Sequence, residues 1–272
     1  CGIFYGVSSI IGPDCVVHVE SFFKEVEYLQ ENGFDTSLIK ISPKAHIITQ
    51  EHIDIDIAKY KDQGTTSSGI APCYSDKYAR KGTRAYEVDS LKQYMWDEEL
   101  WGNVLCEGAQ GFWLDINYGN YPYVTSSTTL PYGACSLGFP PQKINKIIGA
   151  SKIYDTRSGN DPLFPESLLD DPELLNLVNE GGEIGTTTGR IRKTNWLNLD
   201  KLITSINISG VTEVILSKVD VFEKVGIFKL YYQNEILHFE SFVHMKEFIQ
   251  SILFTKCKIL SNIMFSSNTE GI

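Results

Sequence analysis

The sequence lacks a surplus of basic residues. It contains 24 Lys and Arg residues against 34 Asp and Glu residues, which leaves a formal net charge of −10. Proteins that bind nucleic acid usually present a basic face, so this balance argues against a nucleic-acid partner. The sequence also lacks any apolar run approaching the ~20 residues that a membrane-spanning helix needs. We therefore expect neither nucleic acid nor a membrane among its partners.

Several motifs of metal and nucleophile chemistry are also missing. Six cysteines occur without a C-x-x-C pair, and the five histidines show no metal-ligand spacing. These absences exclude a zinc ribbon and a thioredoxin-type site, and we interpret the cysteines as reduced thiols of a cytoplasmic protein. The G-x-x-x-x-G-K-[ST], H-E-x-x-H and G-x-S-x-G motifs are not found either. With no initiator Met before Cys1, the sequence is expected to begin inside a longer open reading frame.

What the sequence contains is an ordinary globular composition, 42% hydrophobic and 21% charged over 272 residues. This length suits one large α/β domain or two small ones. Apolar periodicity and turn residues predict helices at 19–31, 140–154, 198–208 and 241–254, strands at 37–41, 46–49, 103–106, 212–217 and 258–265, and a hairpin at 227–239. The helix at 140–154 is expected to lead into a strand near 152–154. Such alternation indicates a mostly parallel central sheet flanked by helices, with ligands bound in loops beyond the carboxyl ends of the strands.

Three glycine-containing loops match that expectation, and two of them are also rich in hydroxyl side chains. They are GTTSSG at 64–69, EGAQG at 107–111 and GTTTG at 185–189, and three consecutive hydroxyls at 125–127 follow the second. Exposed backbone N–H groups and hydroxyls suit a phosphate. The alternatives are a plain surface turn for the first loop and a buried polar turn for the second. The third favours a ligand, because an exposed Gly-Thr loop brings no packing energy.

Arginines near these loops extend the anion-binding pattern. Arg80 could pair with a phosphate through two N–H groups, although a solvated helix face with an Asp76–Arg80 pair is the simpler interpretation of that segment alone. Arg190 and Arg192 lie two residues apart, so an extended backbone would aim both side chains at one pocket. The alternative for this segment is a basic surface loop.

The tetrad SKVD at 217–220 follows an apolar strand. The Asp220 carboxylate could accept hydrogen bonds from both N1–H and the exocyclic amine of guanine, and the Lys218 stem could lie along the purine ring. Adenine offers no such pair of donors, so an aspartate here favours GTP over ATP. An exposed Lys and Asp at a strand end are common, which makes the tetrad weak evidence by itself.

In this order, these segments resemble the adenylosuccinate synthetase family over nearly the whole chain. The most specific matches are GTTSSGIAPCYSDKYARKG, EGAQGFWLDINYGNYPYVTSS, TRSG at 156–159, GTTTGRIRKTNWLN and SKVDV at 217–221. The resemblance implies one adenylosuccinate synthetase domain over residues 1–272. Its fold would be similar to that of P-loop NTPases, without the N-terminal strand and phosphate loop.

The resemblance also implies roles for individual residues. It implies IMP contacts at Thr66, Arg80, Gln110, Thr125 and Arg190, and aspartate contacts at Thr186, Thr187, Thr188, Gly189, Arg190 and Arg192. For GTP it implies contacts at Arg192, Lys218, Val219, Asp220, Ser266, Ser267 and Asn268. Arg80 resembles the arginine that reaches the IMP phosphate of the neighbouring subunit, which implies a homodimer.

The implied activity is the GTP-dependent joining of L-aspartate to IMP, a ligase reaction that forms a C–N bond with Mg²⁺ as cofactor. The family's catalytic Asp base, its catalytic His and most of its Mg²⁺ contacts are expected upstream of Cys1. The given chain is therefore expected to be inactive alone, and measurable adenylosuccinate formation by it would refute that expectation. Two alternatives remain open: a phage-type enzyme that uses dGMP in place of IMP, and a non-catalytic nucleotide-binding remnant.

Overall fold

The structure, a computed structural model, describes residues 2–60, 63–185 and 189–267. Its contacts divide the chain into two compact units, Cys1–Pro141 and Gln142–Ile272. Each unit has its own hydrophobic core, one around Ile41 and Leu91 and the other around Leu216 and Phe222. The single domain expected over residues 1–272 stays a prediction.

The first unit combines short parallel strands with three helices. In chain order the elements are β1 (Ser9–Ile11), β2 (Val16–Val17), α1 (Val19–Glu31), β3 (Ile39–Ile41), β4 (His46–Ile47), α2 (Gln50–Lys59) and α3 (Ile70–Ala79). Strands β1 and β3 pair in parallel, as do β2 and β4. Beyond α3 the chain runs through 3₁₀ turns and irregular segments to the end of the unit.

Helix α1 shows why the apolar spacing succeeds as a predictor. Its buried side chains, Phe22 and Val26, lie four residues apart on one face. His18 caps the start by accepting the N–H of Ser21, and Gly33 adopts a φ of +79° just after the last turn. The helix predicted at 19–31 is therefore confirmed with its boundaries.

The second unit contains two larger sheets. Its elements are β5 (Ile148–Lys152), β6 (Tyr154–Arg157), α4 (Pro172–Gly181), β7 (Lys193–Asn198), α5 (Leu199–Ser209), β8 (Glu213–Ser217), α6 (Val219–Val225), β9 (Phe228–Tyr232), β10 (Glu235–Phe239), α7 (Phe242–Lys256) and β11 (Asn262–Phe265). One sheet has the order β11-β8-β5 and is wholly parallel. The other has the order β10-β9-β7-β6 and is mixed, because β9 pairs with β10, and β6 with β7, in antiparallel fashion.

Strand β8 forms the centre of the parallel sheet. Val214 and Leu216 are buried, and the residues that alternate with them, Glu213, Ile215 and Ser217, are half-buried, so the strand is covered on both faces. Its carboxyl end leads into the SKVD tetrad, where a parallel α/β sheet places its ligands. The predicted fold class, α/β with mostly parallel pairing and flanking helices, is confirmed.

Two of the predicted elements are wrong. Residues 103–106 form neither a helix nor a strand; Leu105 is 87% exposed, and no described strand pairs with this run. Four apolar residues make a strand only where a neighbouring strand takes up their backbone hydrogen bonds. Similarly, the helix predicted at 140–154 is absent: one 3₁₀ turn, Pro141–Lys143, precedes β5 and β6, and only the strand expected near 152–154 is found. Parallel pairing of Ile148 with Glu213 of β8 overrides the helical appearance of this stretch.

The loop predicted at 64–72 is three residues too long, because α3 already begins at Ile70. The hairpin is correct: Gln233 and Asn234 both have positive φ, at 52° and 64°, as a two-residue turn between antiparallel strands requires. None of the described helices is both long enough and apolar enough to cross a bilayer.

Candidate functional site

The buried Asp56 carboxylate fixes both ends of the GTTSSG loop by hydrogen bonds. Asp56, only 1% exposed, accepts the Thr65 hydroxyl at 2.9 Å and the Gly69 N–H at 2.8 Å. Gly69 has a φ of +75°, and a Cβ there would lie 2.9 Å from the backbone nitrogen of Ile53. Between these two anchors Thr66 is exposed to solvent. The loop is thus a fixed backbone turn that presents the Thr66 hydroxyl, which suits the predicted IMP contact.

Arg80 lies in a pocket dominated by positive charge. It ends α3 in the left-handed conformation, with a φ of 62°, and lines a pocket of about 240 Å³. The full lining is His46, Lys77, Tyr78, Arg80, Gly82 and Arg84. Burial and the nearby charges of Lys77 and Arg84 lower the pKa of His46, which favours its neutral form. This pocket suits an anionic group such as a phosphate. The sequence offered an Asp76–Arg80 ion pair as the simpler interpretation. In the structure the Asp76 carboxylate instead lies 3.3 Å from Nε2 of His52.

Gln110 and Thr125 lie on the irregular segment that closes the first unit. Gln110 is exposed and has a φ of 70°, and the Thr125 N–H donates to the Leu114 carbonyl at 2.8 Å. A cleft of about 670 Å³ opens next to Thr125 and is lined by Asp14, Tyr78, Ile116, Asn117, Ser126, Ser127, Thr128, Tyr132, Gly133 and Ser136. Because Tyr78 lines both this cleft and the basic pocket, the two adjoin. Six of these side chains carry hydroxyls, which suit the polar edges of a sugar or phosphate.

Asp115 holds this hydroxyl-rich segment in place. The side chain is fully buried and accepts the N–H groups of Asn117 at 2.8 Å and Thr129 at 2.7 Å. It also accepts the Tyr118 N–H and the Thr128 hydroxyl. Burial opposes ionisation, but these donors outweigh it and hold the pKa of Asp115 below its usual value. One carboxylate therefore ties the turn at 115–118 to the strip of hydroxyls.

The SKVD tetrad joins a second loop at the carboxyl end of β8. Lys218 is left-handed, with a φ of 66°, and its Nζ donates to the Gly181 carbonyl at 3.0 Å. The Val219 N–H donates to the Ser266 carbonyl at 3.2 Å, and the Ser266 N–H donates to the Leu216 carbonyl. The Val219 side chain is in the core, at 7% exposed, so only its backbone could approach a ligand. The structure thus places Lys218 to Asp220 beside Ser266 and Ser267, two segments that sequence reasoning assigned to guanine.

The residues on either side of the predicted aspartate loop pair with each other in antiparallel fashion. Ile184 is bridged to Ile191, and the Arg192 N–H donates to the Glu183 carbonyl at 2.8 Å. Gly189 has a φ of 64° and donates its N–H to Gly185 at 2.7 Å. Arg190 is exposed and Arg192 half-buried. Thr186, Thr187 and Thr188, predicted to contact aspartate, and Asn268, predicted to contact GTP, lie outside the described residues.

Sequence reasoning missed the cluster beneath Arg192. The buried Glu183 carboxylate accepts both Lys152 Nζ and Arg192 Nη1, at 2.6 Å and 3.1 Å. It also accepts the Tyr154 hydroxyl at 2.7 Å. A lysine at the end of β5 and a glutamate just before a Gly-Thr loop were the available signals. Neither residue belongs to a motif of known spacing, and they are 31 residues apart.

A magnesium site does not emerge from the described residues. Within 2–60, 63–185 and 189–267, no three His, Cys, Asp or Glu side chains come together in a way that could hold a metal ion. Mg²⁺ needs several oxygen ligands in near-octahedral geometry. The described residues therefore form no multi-carboxylate cage for a divalent ion.

A family profile and individual relatives both match this chain to adenylosuccinate synthetases. The adenylosuccinate synthetase family profile matches residues 1–100 and 88–251. The adenylosuccinate synthetase of Lysinibacillus sphaericus is 35% identical over 84% of this chain, and that of Fusobacterium nucleatum is 32% identical over 86%. The chain spans about two thirds of the length of these relatives, 66% and 68% respectively.

Solved structures of the same architecture support this result. The fully ligated adenylosuccinate synthetase of Plasmodium falciparum superposes with a TM-score of 0.70 at 27% identity, covering 88% of this chain and 70% of that one. The succinoaminodeoxyadenylate synthetase of cyanophage S-2L superposes with a TM-score of 0.63 at 19% identity, covering 94% and 71%, which shows a shared fold. By sequence and by fold, this chain belongs to the adenylosuccinate synthetase family.

Proposed function

We propose that this chain serves the GTP-dependent ligation of L-aspartate to IMP, which yields adenylosuccinate, GDP and phosphate in AMP biosynthesis. The observation that carries the proposal is the placement of Lys218 and Asp220 beside Ser266 at the carboxyl end of β8. We further propose that it acts as one domain in a cytoplasmic homodimer.

Guanine recognition is assigned to the SKVD tetrad. The Asp220 carboxylate would accept N1–H and the exocyclic amine of guanine, which are two donors that adenine does not present as a pair. The Lys218 stem would lie along the purine, while its Nζ is already anchored on the Gly181 carbonyl. Ser266 and Ser267 would add polar contacts to the same base. This arrangement favours GTP as the energy donor.

The acceptor and aspartate contacts complete the assignment. Thr66, Gln110, Thr125 and Arg190 would bind IMP, and Arg80 would reach the IMP phosphate of the neighbouring subunit through the basic pocket. The residues assigned to aspartate are Thr186, Thr187, Thr188, Gly189, Arg190 and Arg192, with Arg192 also near GTP. Two arginines beside the reacting groups would stabilise negative charge as it shifts between them.

The proposed reaction has two stages. O6 of IMP, made nucleophilic by removal of the N1 proton, attacks the γ-phosphate of GTP and gives 6-phosphoryl-IMP and GDP. The aspartate amine then displaces phosphate at C6. The family is generally Mg²⁺-dependent, and the ion supplies charge neutralisation at the phosphates when bound. The base, the acid and the metal ligands are not assigned to any residue of this chain.

Nucleotide selection tests the proposal directly. Calorimetric titration of the chain should show GTP binding at least about tenfold tighter than ATP, because Asp220 would face an acceptor rather than a donor on adenine. IMP should bind more tightly than dGMP. Equal or tighter binding of ATP would contradict the guanine assignment, and tighter binding of dGMP would replace IMP with the phage-type acceptor.

A further inference from the structure

A single buried carboxylate in the second unit holds two cationic side chains. Glu183 is 1% exposed, and its two oxygens accept Lys152 Nζ at 2.7 Å and 2.6 Å. Oε1 also accepts the Tyr154 hydroxyl at 2.7 Å, and Oε2 also accepts Arg192 Nη1 at 3.1 Å. The carboxylate is thus fully satisfied by donors from β6, the end of β5 and the segment before β7.

The two cationic side chains are partly exposed, whereas the Glu183 carboxylate that binds them is buried. The side chains of Lys152 and Arg192 remain 23% and 30% exposed, so each keeps a face toward solvent. A guanidinium has five N–H donors, and the hydrogen bond to Glu183 uses one of them. Two positive charges against one negative charge leave the exposed side of this cluster positive. Such an arrangement suits an anionic ligand on the outer side of Arg192.

The cluster adjoins the segment assigned to guanine. Lys218 Nζ donates to the carbonyl of Gly181, which lies two residues before Glu183 at the end of α4. A Cβ on Gly181 would lie 2.4 Å from the Tyr154 hydroxyl, so the glycine leaves room for the hydroxyl that reaches Glu183. The backbone of Arg192 is fixed as well, because its N–H donates to the Glu183 carbonyl at 2.8 Å. Backbone and side chain of Glu183 therefore hold Arg192 at two points.

We propose that Glu183 is a positioning residue that fixes Arg192 so that its remaining N–H groups face the phosphates of a guanine nucleotide whose base lies on Asp220. Lys152 balances the charge of Glu183 and adds a second cation to the same face. This inference rests on the proposed guanine site. It adds the residues that would bind the phosphates, which a nucleotide has and a nucleoside lacks.

A purely structural role for Glu183 leads to a different expectation. If the carboxylate only supported the fold, its loss would lower stability and weaken every ligand of the second unit alike. If it positions Arg192, its loss should weaken ligands that carry phosphates and spare those that do not. Comparing GTP with guanosine separates the two roles, because both ligands present the same base to Asp220.

The experiment titrates the whole chain with GTP and with guanosine by calorimetry. In Glu183→Gln, GTP binding should weaken about tenfold, as expected when a charge-assisted hydrogen bond that orients an arginine is lost. Guanosine affinity should stay within about twofold, which also shows that the variant is folded. Tyr154→Phe, which removes one donor but no charge, should shift GTP affinity in the same direction by a smaller factor.

Glu166→Gln is the matched control, because the exposed Glu166 pairs with Lys193, the residue next to Arg192, at 2.9 Å. It should change neither affinity. Equal weakening of GTP and guanosine in Glu183→Gln, or no change in either, would overturn the positioning role. A wild-type chain that binds neither ligand, or an Asp220→Asn chain that binds both as well as wild type, would instead overturn the proposed guanine site.

Discussion

Replacing Asp115 with alanine should lower the free energy of unfolding of the first unit by about 3–5 kcal/mol, because the buried donors that it satisfies lose their acceptor. Three backbone N–H groups and the Thr128 hydroxyl point at this one carboxylate. Denaturant titration measures the total effect. Hydrogen exchange should show that the amides of Asn117 and Thr129 lose protection first.

The control for this prediction is Asp97→Ala, which removes an exposed carboxylate from the same unit. Its effect should stay within about 0.5 kcal/mol. Since the folded-state pKa of Asp115 is lowered, its contribution is present above the unfolded pKa and is lost as pH falls through the folded one. A variant as stable as wild type at neutral pH would show that these donors find other partners and that Asp115 does not organise the segment.

The second large effect concerns pH and Asp155 in β6. Burial raises the pKa of this carboxyl to about 7, against the lowering influence of Lys201 and of the Asn198 N–H. The folded protein therefore binds the proton more tightly than the unfolded chain does. The free energy of unfolding should fall as pH rises from about 4 to about 7, by on the order of 3–4 kcal/mol from this group.

Asp155→Asn should remove that slope, because the amide keeps an oxygen for the Asn198 N–H but does not ionise. Above pH 7 the variant should be more stable than wild type, and near pH 4 the two should be similar. Asp170→Asn, an exposed change in the same unit, should leave the pH profile unaltered. Parallel stability curves for wild type and Asp155→Asn between pH 4 and 7 would contradict the raised pKa.

The elements that sequence predicted well are those whose signals are local. Helix α1 has its cap, its apolar stripe and its terminal glycine within a few residues. The Gln233-Asn234 turn likewise carries its own backbone preference. The predicted strand at 103–106 and the helix at 140–154 failed because their outcome depends on pairing with distant strands. At Gly149, for example, an added Cβ would lie 3.1 Å from the Val211 side chain, a close approach that no local pattern reveals.

The candidate site shows the same division. Thr66, Lys218 and Asp220 were predicted because the ordered Gly-rich loops and the strand end together resemble one family, whereas each short motif alone was weak evidence. The supporting carboxylates were not found, since Asp56, Asp115 and Glu183 act through burial and through partners elsewhere in the chain. A buried acid that accepts several N–H groups looks like any other acid until the fold brings its donors together.

The most direct measurement is calorimetric titration of Asp220→Asn with GTP and with IMP. The amide would turn one guanine-facing acceptor into a donor, so GTP binding should weaken by about 1–3 kcal/mol while IMP affinity stays nearly unchanged. Equal losses for both ligands, or no loss for GTP, would contradict the assignment of the guanine base to the carboxyl end of β8.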